Sequence, residues 1–169
     1  MCDRVVVSEK ESPGRERLYT YLKDHLAGSF AAIELLEKVI ERHSEDRFGK
    51  TFRDWRDDIQ ADQKTLRNLI QKLDAEESVM RKAGAWMAEK FSRIKIGDLD
   101  DSAGLLHALE ALALGIVGKR LLWRSLAAIA PNLVALQGTD FDELEKRAHD
   151  QFERVETLRI QTARDAFRV

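Results

Sequence analysis

Apolar residues return at helical spacing in four stretches of this chain. From Pro13 to about His43 the stripe is Leu18, Leu22, Leu26, Ser29, Ile33, Leu36 and Ile40. Steps of three and four put these positions on one face of a helix. Ser12 is placed to cap it, and Pro13 suits the first helical position, where its missing N–H costs nothing. After the short turn HSEDRFG (43–49), a second helix runs to about Leu73 with the stripe Trp55, Ile59, Asp62, Leu66, Leu69 and Leu73. A third is expected over about 103–130, capped by Asp101 or Ser102 and closed by Pro131. The stretch GTDFDE (138–143) offers a capping box, Asp140 with Glu143 or Thr139 with Asp142. A fourth helix then reaches about Phe167, with Leu144, Ala148, Gln151, Val155, Leu158 and Thr162 inward.

The connections set the topology. The turns at 43–49 and 131–139 are short, so helices 1 and 2, and helices 3 and 4, are expected as antiparallel hairpins. Residues 74–101 are long enough to cross the whole bundle, which leaves helices 2 and 3 parallel. Within that crossover EESVMRKAGAWMAEKF reads as a shorter amphipathic helix, with Met80, Ala83, Met87 and Phe91 on one face. Helix 3 is apolar nearly all round and carries Gly115 and Gly118 on one side, a pattern that suits close approach of a neighbouring backbone. The expected architecture is an all-α four-helix bundle over 12–169, with residues 1–11 as a mobile tail.

Composition narrows the class. With 169 residues, 44% hydrophobic and 34% charged, the chain is long enough for one domain with a core of its own. The net charge of −2 gives no overall pull toward nucleic acid or a membrane. The one cysteine, Cys2, excludes an internal disulfide and a cysteine-built metal cluster. No signal-peptide pattern is present, and the longest apolar run, around 103–118, is shorter than a bilayer needs; a cytoplasmic location is expected. The basic residues Arg81, Lys82, Lys90, Arg93 and Lys95 are flanked by acids and read as a solvated face. Trp55 and Trp123 read as core or boundary residues, and Trp86 as a packing or dimer contact. No phosphate loop, zinc spacing or nucleophile elbow occurs.

The pieces YLKDHLAGSFAAIELLE, IQADQKTLRNLI, HALEALALGIVGKRLLW and EKRAHDQFERVETLRIQTARDAF, one from each helix, together resemble a bacterial branch of the ferritin-like superfamily. The resemblance implies a ferritin-like bundle and, in the better-known relatives, a di-iron site. That site takes a Glu from each of two helices and a Glu-x-x-His from each of the other two. Here the residues three before His25, His43, His107 and His149 are Leu22, Ile40, Gly104 and Lys146, so the histidine motifs are missing.

Residue heights along the bundle suggest two levels of chemistry. With about 1.5 Å of rise per residue, Glu34, Arg56, Glu110 and Arg159 share a level above the middle, and an ion pair between Glu110 and Arg159 is expected in place of a metal. His25, Asp62, Lys119 and Gln151 share a second level. There His25 and Asp62 are candidate hydrogen-bond partners, Lys119 can reach Asp62 or Gln151, and Ser29 is the nearby hydroxyl. Two classes of function follow. The first is a non-enzymatic, interaction or stress-related bundle with no catalytic residue and no cofactor, with self-association through helix faces as a possible partner mode. The second is a di-metal carboxylate protein with oxidase- or ferroxidase-like chemistry, taking iron or manganese on Glu34, Asp58, His107, Glu110 and Glu156. A site for a small apolar ligand between the helices is a further option.

Overall fold

The computed structural model describes residues 13–43, 48–75, 99 and 101–168. Four long helices make up nearly all of them: α1 (Pro13–Arg42), α2 (Gly49–Ala75), α3 (Ser102–Ile129) and α4 (Phe141–Ala166). No strand occurs among the described residues. The expected crossover helix, Trp86, the basic cluster, Cys2, the Ser12 cap and the tail lie outside the described residues. No helix among the described residues is long and apolar enough to cross a membrane.

The helix ends follow local chemistry. Asp101 is the N-cap of α3, its Oδ1 accepting from the Gly104 N–H at 2.6 Å. Of the two readings of GTDFDE, Asp140 is the cap of α4, accepting from the Glu143 N–H at 2.9 Å. Each cap satisfies one of the amides that a helix start leaves unpaired. Between α3 and α4 the chain makes two short 3₁₀ turns, Ala130–Asn132 around Pro131 and Val134–Leu136. Gly138 then takes φ +75°, a left-handed conformation that a side chain would strain.

Contacts are most extensive between α3 and α4, then between α1 and α2, then between α1 and α3. Apolar side chains form two separate clusters. One gathers Leu36, Val39, Phe52, Trp55, Ile59, Leu109, Leu112, Ile116, Val155 and Leu158; the other gathers Leu22, Leu66, Leu69, Leu73, Leu122, Trp123, Leu126, Leu136, Leu144 and Ala148. Every helix contributes to both. The expected inward stripes of α2 and α4 are buried throughout. On α1 the buried face is turned from the expected stripe: Leu22 and Leu36 are inward with Ala27, Leu35 and Val39, whereas Leu18, Leu26, Ile33 and Ile40 are half-buried.

The glycines of α3 correct one expectation. No backbone approaches Gly115 or Gly118; a Cβ at either, or at Gly28 of α1, would meet nothing within 4 Å. An interior helical glycine costs about 1 kcal/mol relative to alanine, and here packing gives nothing back. Gly118→Ala should therefore stabilise the protein by about 1 kcal/mol, measured by urea denaturation; a loss of stability would show that the space beside the helix is needed for packing.

Candidate functional site

The two apolar clusters are parted by polar residues on each helix. On α2, Asp62 and Gln63 fall between Ile59 and Leu66. On α3, Lys119 falls between Ile116 and Leu122; on α4, Gln151 falls between Ala148 and Val155. Asp62 is the only buried carboxylate among the described residues, with 3% of its surface exposed. A buried charge has to be met by donors, and three converge on it from two helices. Lys119 Nζ donates to Oδ2 at 2.5 Å, Arg147 Nη2 donates to Oδ1 at 2.7 Å, and Gln151 Nε2 donates to Oδ2 at 3.1 Å. Lys119 also donates to Gln151 Oε1. Arg147 and Gln151 are one helical turn apart, so one face of α4 supplies both. Burial lowers the pKa of Lys119 and outweighs the opposing pull of the Asp62 charge.

The remaining polar groups of this level face α1. Gln63 Nε2 donates to Ser29 Oγ at 2.9 Å, and that hydroxyl donates to the Leu26 carbonyl at 2.6 Å. No hydrogen bond joins His25 to Asp62, contrary to the sequence expectation. The His25 ring instead meets Tyr21 edge-on, with centroids 4.6 Å apart. Burial lowers its pKa, with the nearby Asp24 charge acting the other way. His25, Ser29 and Asp62 thus form no nucleophile–base relay.

Beside this layer lies a cavity of about 200 Å³ between α1 and α3. The three unfilled glycines, Gly28, Gly115 and Gly118, line it. Apolar walls come from Ala32, Ile59, Leu66, Leu112, Ile116 and Leu122, and the polar margin from His25, Ser29, Asp62, Gln63 and Lys119. Trp123 forms part of the wall, and its indole N–H is buried without an acceptor. Where α2, α3 and α4 place long polar side chains, α1 offers Gly28 and Ser29, and the layer is left open on that side.

The metal candidates are not brought together. Glu34 is exposed and paired with Lys38 on its own helix at 2.8 Å. Asp58 pairs with Arg154 at 2.5 Å. His107 is exposed on α3. Glu156 takes both Arg159 bonds, at 2.6 and 2.7 Å, which lowers its own pKa and raises that of Arg159. Among the described residues no three His, Cys, Asp or Glu side chains are grouped to hold a metal ion. The di-iron site implied by the ferritin-like resemblance therefore does not fit these residues.

Glu110 is not the buried acid its apolar surroundings in sequence imply. Its side chain is 46% exposed, and Arg159 Nη1 reaches its Oε1 at 3.7 Å only as a secondary contact. The buried centre is Asp62. Sequence reasoning missed Arg147 and Gln63 as members of this layer. The signal for Arg147 was its place one turn before Gln151, and for Gln63 its adjacency to Asp62.

An exposed ion pair adds little to stability. Glu110→Ala should shift Tm by no more than about 3 °C in a thermal melt; a larger fall would mean that Arg159 depends on Glu110 rather than on Glu156. No family model, curated protein or solved structure matches the chain, so the geometry of the Asp62 layer and the adjoining cavity carries the functional reading.

Proposed function

We propose that this chain is a ferritin-like, non-enzymatic helical bundle in which an ion-paired layer stands in place of a metal centre, and that it works by binding a small molecule in the groove between α1 and α3. The topological part rests on the order in which each helix passes the two apolar clusters. With rising residue number, α1 goes from the Leu22 cluster to the Val39 cluster and α4 from Leu144 to Leu158. α2 and α3 go the opposite way, from Trp55 to Leu73 and from Leu109 to Leu126. That order supports antiparallel pairs α1/α2 and α3/α4 with α2 and α3 parallel, the ferritin-like arrangement.

The binding part is carried by one observation: three interior helical glycines leave open space on one cavity of about 200 Å³. Each lowers helix propensity, and none makes room for a neighbour. Keeping the groove open is the physical consequence they share. An apolar cavity of about 150 Å³ already accepts benzene, so this one suits a single-ring or similarly compact body. The di-metal alternative lacks comparable support, because its carboxylates are dispersed over the helix surfaces and paired with cations.

The test is titration with p-xylene, followed by ¹H–¹⁵N correlation spectra. Shifts should concentrate on Gly28, Gly115, Gly118 and their neighbours, with binding in the range of about 0.1–1 mM expected for so small a body. Gly115→Leu, which fills the groove, should weaken binding at least about tenfold while the protein stays folded. Shifts scattered over the surface, or binding indifferent to Gly115→Leu, would refute the reading.

A further inference from the structure

A polar group left unspent on the groove gives the chemistry of its occupant; this inference rests on the binding reading above. Gln63 is 7% exposed and lines the cavity. Its Nε2 donates to Ser29 Oγ, while its side-chain carbonyl takes no donor among the described residues and keeps accessible surface. Trp123 is 1% exposed and lines the same cavity, but its indole N–H is closed off from it. The wall thus retains an acceptor without a protein donor, and a hydroxyl group offers the complement to it.

Charge limits the class further. Two carboxylates, Asp24 and Asp62, and one ammonium, Lys119, line the cavity. Lys119 is already committed to Asp62 and Gln151. Asp62 is met by both Lys119 and Arg147, so an anionic ligand would find no uncommitted ammonium on this wall, and a cation would compete with Lys119 for Asp62. An uncharged ligand avoids both.

We infer that the groove is a site for an uncharged, compact apolar molecule bearing a hydroxyl, such as a simple phenol, whose O–H donates to the Gln63 side-chain carbonyl. The apolar body lies against Leu112, Ile116 and Leu122 in the space left by the glycines.

Three probes separate the possibilities: p-cresol and p-xylene, which match in size, and 4-methylanisole, which adds one methyl group. A wholly apolar pocket leaves a buried hydroxyl unpaired and prefers p-xylene over p-cresol by about tenfold or more. The inference predicts p-cresol binding at least as tightly as p-xylene, and at least about threefold more tightly than 4-methylanisole, which cannot donate. Gln63→Met keeps the bulk and removes the carbonyl. It should weaken p-cresol by about tenfold and leave p-xylene unchanged. A p-xylene preference of tenfold in the unaltered protein overturns the hydroxyl assignment while leaving the binding reading intact. Equal binding of p-cresol and 4-methylanisole, or no effect of Gln63→Met, overturns the role of Gln63. Failure of all three probes to bind overturns the binding reading itself.

Discussion

Asp62 cannot be buried alone. Its carboxylate sits in the core of a helical protein, and the demand that every lone pair be met fixes how α3 and α4 lie against α2. Lys119 from α3 and Arg147 and Gln151 from α4 answer it directly. Sliding any of the three helices by one residue would move a donor about 1.5 Å along the axis and rotate it off the carboxylate. The adjoining apolar clusters, by contrast, tolerate modest exchange of similar side chains. The polar layer therefore sets register, while the clusters above and below it supply the hydrophobic stabilisation. The ion pairs Asp58–Arg154 and Arg120–Glu145, both at 2.5 Å, tie the same helices together at the half-exposed edge. Contacts of that kind add less, because water screens them.

The groove follows from the same layer. An ammonium and a carboxylate occupy the α2–α3–α4 side, and Ser29 with Gln63 continues the polar level toward α1. Large apolar residues on α1 and α3 at this height would cover the opening. The chain has glycine there instead, at Gly28, Gly115 and Gly118, and the helices bear the loss in propensity. What results is an apolar recess with a polar margin, the combination that lets a small site discriminate by hydrogen bonding as well as by shape.

Much of the architecture was legible because helical periodicity is a local signal. The stripes of α2 and α4 gave the buried faces directly, and Asp101 and Asp140 announced the starts of α3 and α4. Heights along the bundle also brought Asp62, Lys119 and Gln151 to one level, since rise per residue is nearly constant. Rotation about the helix axis was harder to read. Helix 3 is apolar almost all round, so the sequence does not distinguish the face of Glu110, which is exposed, from the face of Lys119, which reaches Asp62. The stripe chosen on α1 was turned from the buried one for a similar reason: Ala27, Leu35 and Val39 compete with Leu26 and Ile33 as inward residues. Small size alone does not reveal whether a neighbour fills the space beside Gly115 and Gly118, so their sequence pattern does not distinguish a contact point from an opening.

The central claim is that the Asp62 layer is a mutually dependent structural unit, and a double-mutant cycle between Asp62 and Lys119 tests it most directly. Asp62→Leu and Lys119→Met would be studied singly and together by urea denaturation. Each single change strands charged or polar partners in the core and should cost about 3 kcal/mol or more. The double variant removes both buried charges, so it should be no less stable than the Asp62→Leu variant, giving a coupling of at least about 3 kcal/mol. Losses that simply add, or an Asp62→Leu variant as stable as the parent, would contradict the account.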